Sequence, residues 1–390
     1  MTAARLLPLP LVLPTTQSPT VAPLDAADPG MPDSVGAGAT RKGLVRRRTT
    51  SGLVITALGL AVLVMALFSA GIGQMQLSPS EILASLLHGI GLDWGTLPTH
   101  PYAGSALWSV RFPRVVMAVV VGAALACSGV LMQGVFGNPL AEPGVVGVSS
   151  GAAALACVVI VFGLNFFGTW TVAFAAFLGG LAATAVVYAT ARSGGRTEVV
   201  TLVLTGVAIN AVGGAVIALM TFLGDSSSRE EIIFWQLGSL NGTRWDNVLI
   251  AGPVTAIGIG LAFFLTRKLD LLALGERPAR HLGVDVERLR VQVIVIVAIL
   301  TGAAVAFAGI IGFVGLVVPH MLRLALGPGH KVLLPASALG GALLLLVADT
   351  VARTLVPNAD LPIGMLTALV GGPFFFWLIR RTRKQDGGWS

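Results

Sequence analysis

The chain has 390 residues, 55% of them hydrophobic and only 11% charged, with a mean hydropathy of +0.87 and a net charge of +7. A soluble domain carries roughly 25% charged residues, so that class is excluded. Repeated apolar runs near 20 residues, the length a helix needs to cross a hydrocarbon core about 30 Å thick, also exclude a β-barrel, whose spans are shorter and alternate polar with apolar. The fold class is an all-α integral membrane protein.

In chain order, residues 1–50 are rich in Pro, Ala, Thr and Asp, and proline breaks LLPLPLVLP too often for a signal-peptide core. They read as a disordered cytoplasmic tail closing on Arg41, Lys42, Arg46, Arg47 and Arg48, a basic anchor for anionic membrane lipid. The membrane domain runs over 51–384, and 385–390 form a short cytoplasmic tail. About ten spans are expected, near 52–73, 114–135, 145–164, 169–191, 198–223, 247–266, 291–308, 309–326, 332–352 and 361–380. A single long broken helix fits 291–326 almost as well as two spans. Cys127 and Cys157 lie inside apolar runs, as small buried side chains without metal or redox spacing.

Between the first two spans, LSPSEILASLLHGI places Ser78, Pro79 and Glu81 in cap, first-turn and capping-box positions. An amphipathic surface helix is expected there, carrying Ile82, Leu83, Leu86 and Leu87 against the membrane or the bundle. With the N-terminus inside, 20 of the 25 Lys and Arg fall on inner segments and 5 on outer ones, which puts both termini in the cytoplasm. The segment RFPR, with Arg111 and Arg114, is then on the outer face, against the rule. Snorkelling to lipid phosphates is one account of that.

Two stretches interrupt apolar sequence with glycine and proline: GNPLAEPGVVGVSSG at 137–151 and GIIGFVGLVVPH at 309–320. Laying 121–139 over 301–319 gives identities at six of nineteen positions, among them Gly122/Gly302, Gly129/Gly309 and Pro139/Pro319. The two copies run in opposite senses, as an inverted repeat requires, and broken helices in inverted repeats are a transporter signature. Irregular backbone at membrane depth is tolerated only where protein or a water-filled cavity covers it, so both stretches are expected near a translocation path or at helix crossings. Glu142 is a functional candidate there, or a cap for the helix that starts near Pro143. Most other glycines read as close helix packing.

The loop at 267–290 is the one strongly polar inner insertion, and its centre LALGERPARHLGV sets leucines beside Glu276, Arg277, Arg280 and His281. Two short helices broken at Pro278 or Gly283 suit it, forming a docking surface for a cytoplasmic partner. His281 has no second residue at metal-ligand spacing. The sequence holds no GxxxxGK[ST] phosphate loop, HExxH, CxxC or GxSxG. Asp349 is the only acid well inside a span, with Arg353 four residues on, at pairing distance along a helix. Energy for any transport therefore comes from another polypeptide.

The segment 111–151, together with LALGERPARHLGV, FVGLVVPHMLRL, LPASALGGALLLLVADTVAR and LPIGMLTALVGGPFFFWLIRR, closely resembles the permease family of ATP-binding-cassette importers for ferric siderophores, haem and vitamin B12. The resemblance covers about residues 55–383. It implies ten membrane helices, a second permease subunit (self or paralogue), two cytoplasmic ATPase subunits and an extracytoplasmic substrate-binding protein, with no cofactor and no nucleic acid. It implies ATPase coupling through Leu274, Gly275, Glu276, Arg277, Ala279, Arg280, Leu282 and Gly283. Binding-protein glutamates would meet Arg111, Arg114 and Arg353, although Asp349 offers Arg353 an internal partner. Movement is expected to be alternating access, with Met132, Gln133, Asn138, Ser149 and Ser150 lining the path and Pro139, Glu142, Pro143, Gly312 and Pro319 at path or hinge positions. A ferric siderophore is the expected cargo, with vitamin B12 or haem as the alternative. A secondary carrier or channel, or a non-transporting membrane subunit, are the readings from other classes.

Overall fold

The computed structural model describes residues 35–73, 75–194, 196–357 and 359–385. The chain divides into a unit Met1–Arg46 and a unit Arg47–Ser390, and the second holds every site below. Of the expected disordered tail, residues 1–34 lie outside the described residues, as does the short tail at 386–390, while 35–50 belong to a helix.

Helix α1 covers Val35–Gly71. Next comes α2, Pro79–Gly89, opened by the capping box read from the sequence: Ser78 Oγ accepts from the Glu81 N–H and Glu81 accepts from the Ser78 N–H. Those bonds hold the Glu81 carboxyl below its ordinary range. Of the apolar positions expected to pack, Ile82 is buried with Ala84 and Ser85, so α2 lies against the bundle. A short α3, Ala103–Ser105, runs through a π-helical stretch, Ala106–Arg111, into α4, Phe112–Phe136. The span expected from 114 thus begins at Ala103, and RFPR lies within a helix rather than at its mouth.

Gly137, at φ +59°, ends α4 in the left-handed conformation that glycine adopts without steric cost. After a 3-10 turn at Pro143–Val146 come α5, Val148–Val161, and α6, Thr171–Ala191. A two-stranded antiparallel hairpin, β1 (Arg192–Ser193) and β2 (Arg196–Thr197), joins α6 to α7, Val199–Leu223. Helix α8, Ser226–Leu237, is capped by Asp225, and α9 covers Trp245–Leu272. The polar loop holds one short helix, α10, Glu276–His281. Asp285 accepts from the Arg288 N–H to cap α11, Val286–Ala308. Then follow α12, Val314–Leu326, α13, His330–Thr354, and α14, Ile363–Gln385.

Among the described residues seven helices are long and apolar enough to cross a membrane, and Val148–Val161, Val314–Leu326 and Ile363–Trp377 are shorter. At 1.5 Å per residue, the 14 residues of α5 reach about 21 Å, less than a straight crossing needs. The expected spans 145–164 and 309–326 are corrected to these half-length helices. Non-helical residues 309–313 separate α11 from α12, so the helix over 291–326 is interrupted, as the broken-helix alternative expected.

The core is built around α4 and α11, whose most apolar stretches are 83% and 72% buried, against 17% for α1 and α7. Close contact depends on glycine where α4 crosses its neighbours. A Cβ on Gly122 would sit 2.3 Å from the Gly341 carbonyl oxygen on α13, and one on Gly129 1.8 Å from that of Gly315 on α12. The cysteines Cys127 and Cys157 are buried and free.

Candidate functional site

Three clusters stand out, one at each end of the bundle and one between. In the middle, the two broken stretches read from the sequence come together. Glu142 Oε1 accepts from the Phe313 N–H at 3.2 Å, and a Cβ on Gly315 would touch the Pro143 ring at 3.2 Å. Phe313, at φ +67°, is the one described non-glycine residue with positive φ. A left-handed aromatic residue is uncommon and marks a constrained site. Glu142 caps no helix with its side chain; its carboxylate instead ties the first break to the second.

Gln133 belongs to the same cluster. Pro319 has no N–H to offer the carbonyl four residues earlier, which is that of Gly315. Gln133 Nε2 donates to that carbonyl at 3.3 Å and to the Leu316 carbonyl at 3.2 Å. Replacing Gln133 by leucine strands a buried acceptor, at a cost of about 1–3 kcal/mol. The Pro319→Ala background supplies the missing N–H and should suppress that loss, which thermal unfolding of the four purified variants will show.

Of the other expected path residues, Met132 is fully buried. Asn138 and Pro139 are exposed at the turn, where Asn138 Oδ1 accepts from the Leu140 N–H at 2.9 Å. Gly312 is partly buried, its Cβ direction 4.0 Å from Glu142 Oε1. Ser149 and Ser150 are partly buried, and the Ser150 hydroxyl donates to Asn210 Oδ1 on α7 at 2.7 Å.

At one end of the bundle, Arg111, Arg114 and Arg353 form a clamp. Arg111 Nη1 donates to the carbonyls of Ala70 (2.8 Å) and Gly71 (3.1 Å), and Nη2 to that of Met75. Arg353 donates to the carbonyls of Ile72 (3.1 Å) and Ser69 (3.0 Å) and to the Ser69 hydroxyl (2.6 Å). Several of these acceptors are the carbonyls that a helix C-terminus leaves unpaired, and cations there also complement the helix dipole. Arg114 Nε pairs with Asp349 Oδ1 at 2.9 Å and Nη1 with Asp360 Oδ2 at 2.7 Å, while Arg353 Nε lies 3.2 Å from Asp349 Oδ2. All three guanidiniums are therefore turned inward and bonded within the chain, with Arg111 and Arg114 only 7% and 6% exposed. The internal pair of Arg353 with Asp349 is the one the sequence offered, while Arg111 and Arg114 are also bonded within the chain.

At the opposite end, α10 projects between two glycines of positive φ, Gly275 (+109°) and Gly283 (+84°). Leu274 and Leu282 are 63% and 58% exposed on either side of it, and Ala279 is its one buried residue. Glu276 pairs with Arg280 at 3.0 Å and with Arg290 of α11. Arg277 and Arg280 face a groove of about 990 Å³ shared with Thr197, Asp285 and Glu287. The single helix corrects the expected pair of short helices; the break falls at Gly283, with no break at Pro278. Two exposed leucines thus frame a short charged helix at this end of the bundle.

Residues 61–381 match the FecCD transport family. The chain belongs to that family. The hemin transport system permease protein HmuU of Yersinia pestis is 40% identical over 348 residues, covering 87% of this chain and 99% of the relative. The cobalamin import system permease protein BtuC of Halobacterium salinarum is 45% identical over 280 residues, covering 70% and 72%. A solved structure described as an inward-facing conformation of a metal-chelate type ABC transporter superposes with a TM-score of 0.74 at 32% identity, covering 85% of this chain and 99% of that one.

Sequence reasoning missed several members of these clusters. Asp360 follows the last turn of α13 and read as loop. Asn210, Glu287 and Arg290 sit at span positions whose partners are far away in sequence. His330 and Asp270 pair at 2.7 Å, closing the start of α13 onto the end of α9. The available signal for Arg290 and Glu287 was their place one turn apart at the start of an apolar span, where charges need partners.

Proposed function

We propose that the protein is the membrane-spanning permease subunit of an ATP-binding-cassette importer that moves a metal chelate by alternating access, driven by separate ATPase subunits. The observation that carries this is the meeting of the two helix breaks at Glu142 and Phe313, inside a bundle whose sequence holds no phosphate-binding loop. Broken helices that meet in the core are where transporters bend and where their paths run. The names of the relatives support the cargo class. The ferric siderophore is our first choice of cargo, with haem and vitamin B12 as alternatives.

Ten spans cross the cytoplasmic membrane, two of them, α5 and α12, half-length helices completed by irregular chain, and both termini are cytoplasmic. Each half of an inverted repeat contributes a long helix, a Gly/Pro break and a short helix: α4 with α5, and α11 with α12. Two ATPase subunits dock at α10 on the cytoplasmic side and a second permease subunit, self or paralogue, completes the path. An extracytoplasmic binding protein meets the clamp face, where its acidic groups have to compete with Asp349 and Asp360 for the arginines. Gln133, Asn138, Pro139, Pro143, Ser149, Ser150, Gly312 and Pro319 border the breaks that open the path.

Uptake of radioiron-loaded siderophores, labelled haem and labelled vitamin B12, measured in parallel with and without this protein, tests the reading. Loss of one uptake names the cargo. Uptake that persists when the ATPase subunit is removed would instead favour a secondary carrier. The double variant Glu276→Ala/Arg280→Ala is expected to lose ATPase co-purification and uptake together; retention of both would remove α10 from the coupling role.

A further inference from the structure

We propose that Thr197, Glu287 and Arg290 are positioning residues that pass the movement of α10 to α7, and through α7 to the two helix breaks. The proposal rests on α10 being the seat of an ATPase subunit. Arg290 is 7% exposed and divides its guanidinium between two elements: Nη2 pairs with Glu276 on α10, and Nη1 donates to the Thr197 carbonyl on β2 at 3.2 Å. Nearly one turn earlier on α11, Glu287 accepts from the Thr197 N–H at 3.0 Å, from the Thr197 hydroxyl, and from the Tyr188 hydroxyl of α6 at 3.2 Å. Thr197 itself is buried. One hairpin residue is thus gripped by two α11 side chains, one of which also grips α10.

The hairpin leads through Glu198 directly into α7, so a displacement of Thr197 displaces the start of that helix. Farther along α7, Gly206 lies so close to the first break that a Cβ there would be 1.8 Å from the Val145 carbonyl oxygen. Asn210 accepts from the Ser150 hydroxyl at 2.7 Å and donates to the Gly144 carbonyl at 3.4 Å. The first break in turn holds the second through Glu142 and Phe313. A continuous series of bonds therefore runs from the docking helix to the centre of the bundle.

Such a linkage is stiff for a physical reason. A buried guanidinium that loses one of two partners leaves charge uncompensated in a medium of low dielectric, so the elements it joins move together. Contiguous hydrogen bonds and packed elements can carry coupling between sites, but demonstrating it requires a change in coupling itself. An anchor that only held the hairpin in place would alter the amount of folded protein and leave the ratio of transport to hydrolysis alone.

The test uses the permease with its co-purified ATPase subunits in membrane vesicles, comparing wild type, Glu287→Gln, Thr197→Val and Thr197→Ser. The probe is whichever of radioiron-loaded siderophore, haem or vitamin B12 the wild type takes up. In Glu287→Gln and Thr197→Val, ATPase co-purification should be unchanged and hydrolysis kept within about twofold, while uptake per ATP falls about tenfold, within the range of coupling carried by such networks. Thr197→Ser, which keeps the hydroxyl, should restore coupling. Uptake and hydrolysis falling in the same proportion, or uptake unchanged in both variants, would overturn the relay. If Glu287→Gln does not accumulate, the Thr197→Val and Thr197→Ser pair decides alone. A wild-type chain that brings down no ATPase subunit would overturn the reading of α10 and the relay with it, and that failure is recognised because it precedes any substitution.

Discussion

Substituting Asp349 by alanine is expected to cost about 3–5 kcal/mol, the loss that follows when one partner of a buried ion pair is removed. Asp349 is fully buried and stands between Arg114 and Arg353, at 2.9 and 3.2 Å. Without it two guanidiniums remain in a space from which water is excluded. Arg353 also holds the Ser69 and Ile72 carbonyls, so the end of α1 should loosen as well. The unfolding midpoint in detergent should fall by roughly 5 °C, judged from the usual conversion between free energy and midpoint for a chain of this length. Asp360 is the contrast, because its side chain is 32% exposed and Asp360→Asn leaves the Arg114–Asp349 pair in place. That change should cost at most about 1 kcal/mol. Equal midpoints for Asp349→Ala and Asp360→Asn would show that the clamp is not what holds α1.

The same arginines show where sequence reading stops. Charge counting singled out Arg111 and Arg114 as misplaced cations, and the family resemblance supplied an outward partner for them. Their acceptors turned out to include backbone carbonyls at the end of α1, and a carbonyl carries no residue identity that a sequence can reveal. The helix breaks were legible because glycine and proline are the residues that interrupt helices. Where the breaks meet was not: the repeat alignment pairs Gly129 with Gly309, whereas in space Gly129 packs against Gly315. Thr197 was invisible for a third reason. It lies in a short polar turn, and only the fold shows that α11 reaches back to bury it.

Placing valine at Gly129 should abolish uptake and, with it, most of the properly folded protein. Any Cβ at this position would lie 1.8 Å from the Gly315 carbonyl oxygen, a backbone atom that cannot swing aside as a side-chain end can. Restoring an ordinary contact distance requires α4 and α12 to separate by roughly 1.5 Å. The separation cannot stay local, because Gly315 also packs on Pro143 and on the Leu125 carbonyl. Pro143 follows Glu142, so the shift falls on the bond that ties the two breaks together. Overpacking in a tight interior typically costs about 1–3 kcal/mol, and here it adds to the loss of the Gln133 bonds to the carbonyls of Gly315 and Leu316. Gly260, a helical glycine of α9 with nothing within 4 Å of its Cβ direction, provides the control. Gly260→Ala should be neutral or stabilise by about 0.4–1 kcal/mol. Size-exclusion profiles separate a folding defect from a transport defect. If Gly129→Val gives monodisperse protein that still docks its ATPase subunits but transports nothing, the glycine crossing serves the movement of the breaks. Normal uptake in that variant would mean that the crossing is not held in this packing during transport, and the junction of Glu142 with Phe313 would lose its claim to the centre of the mechanism.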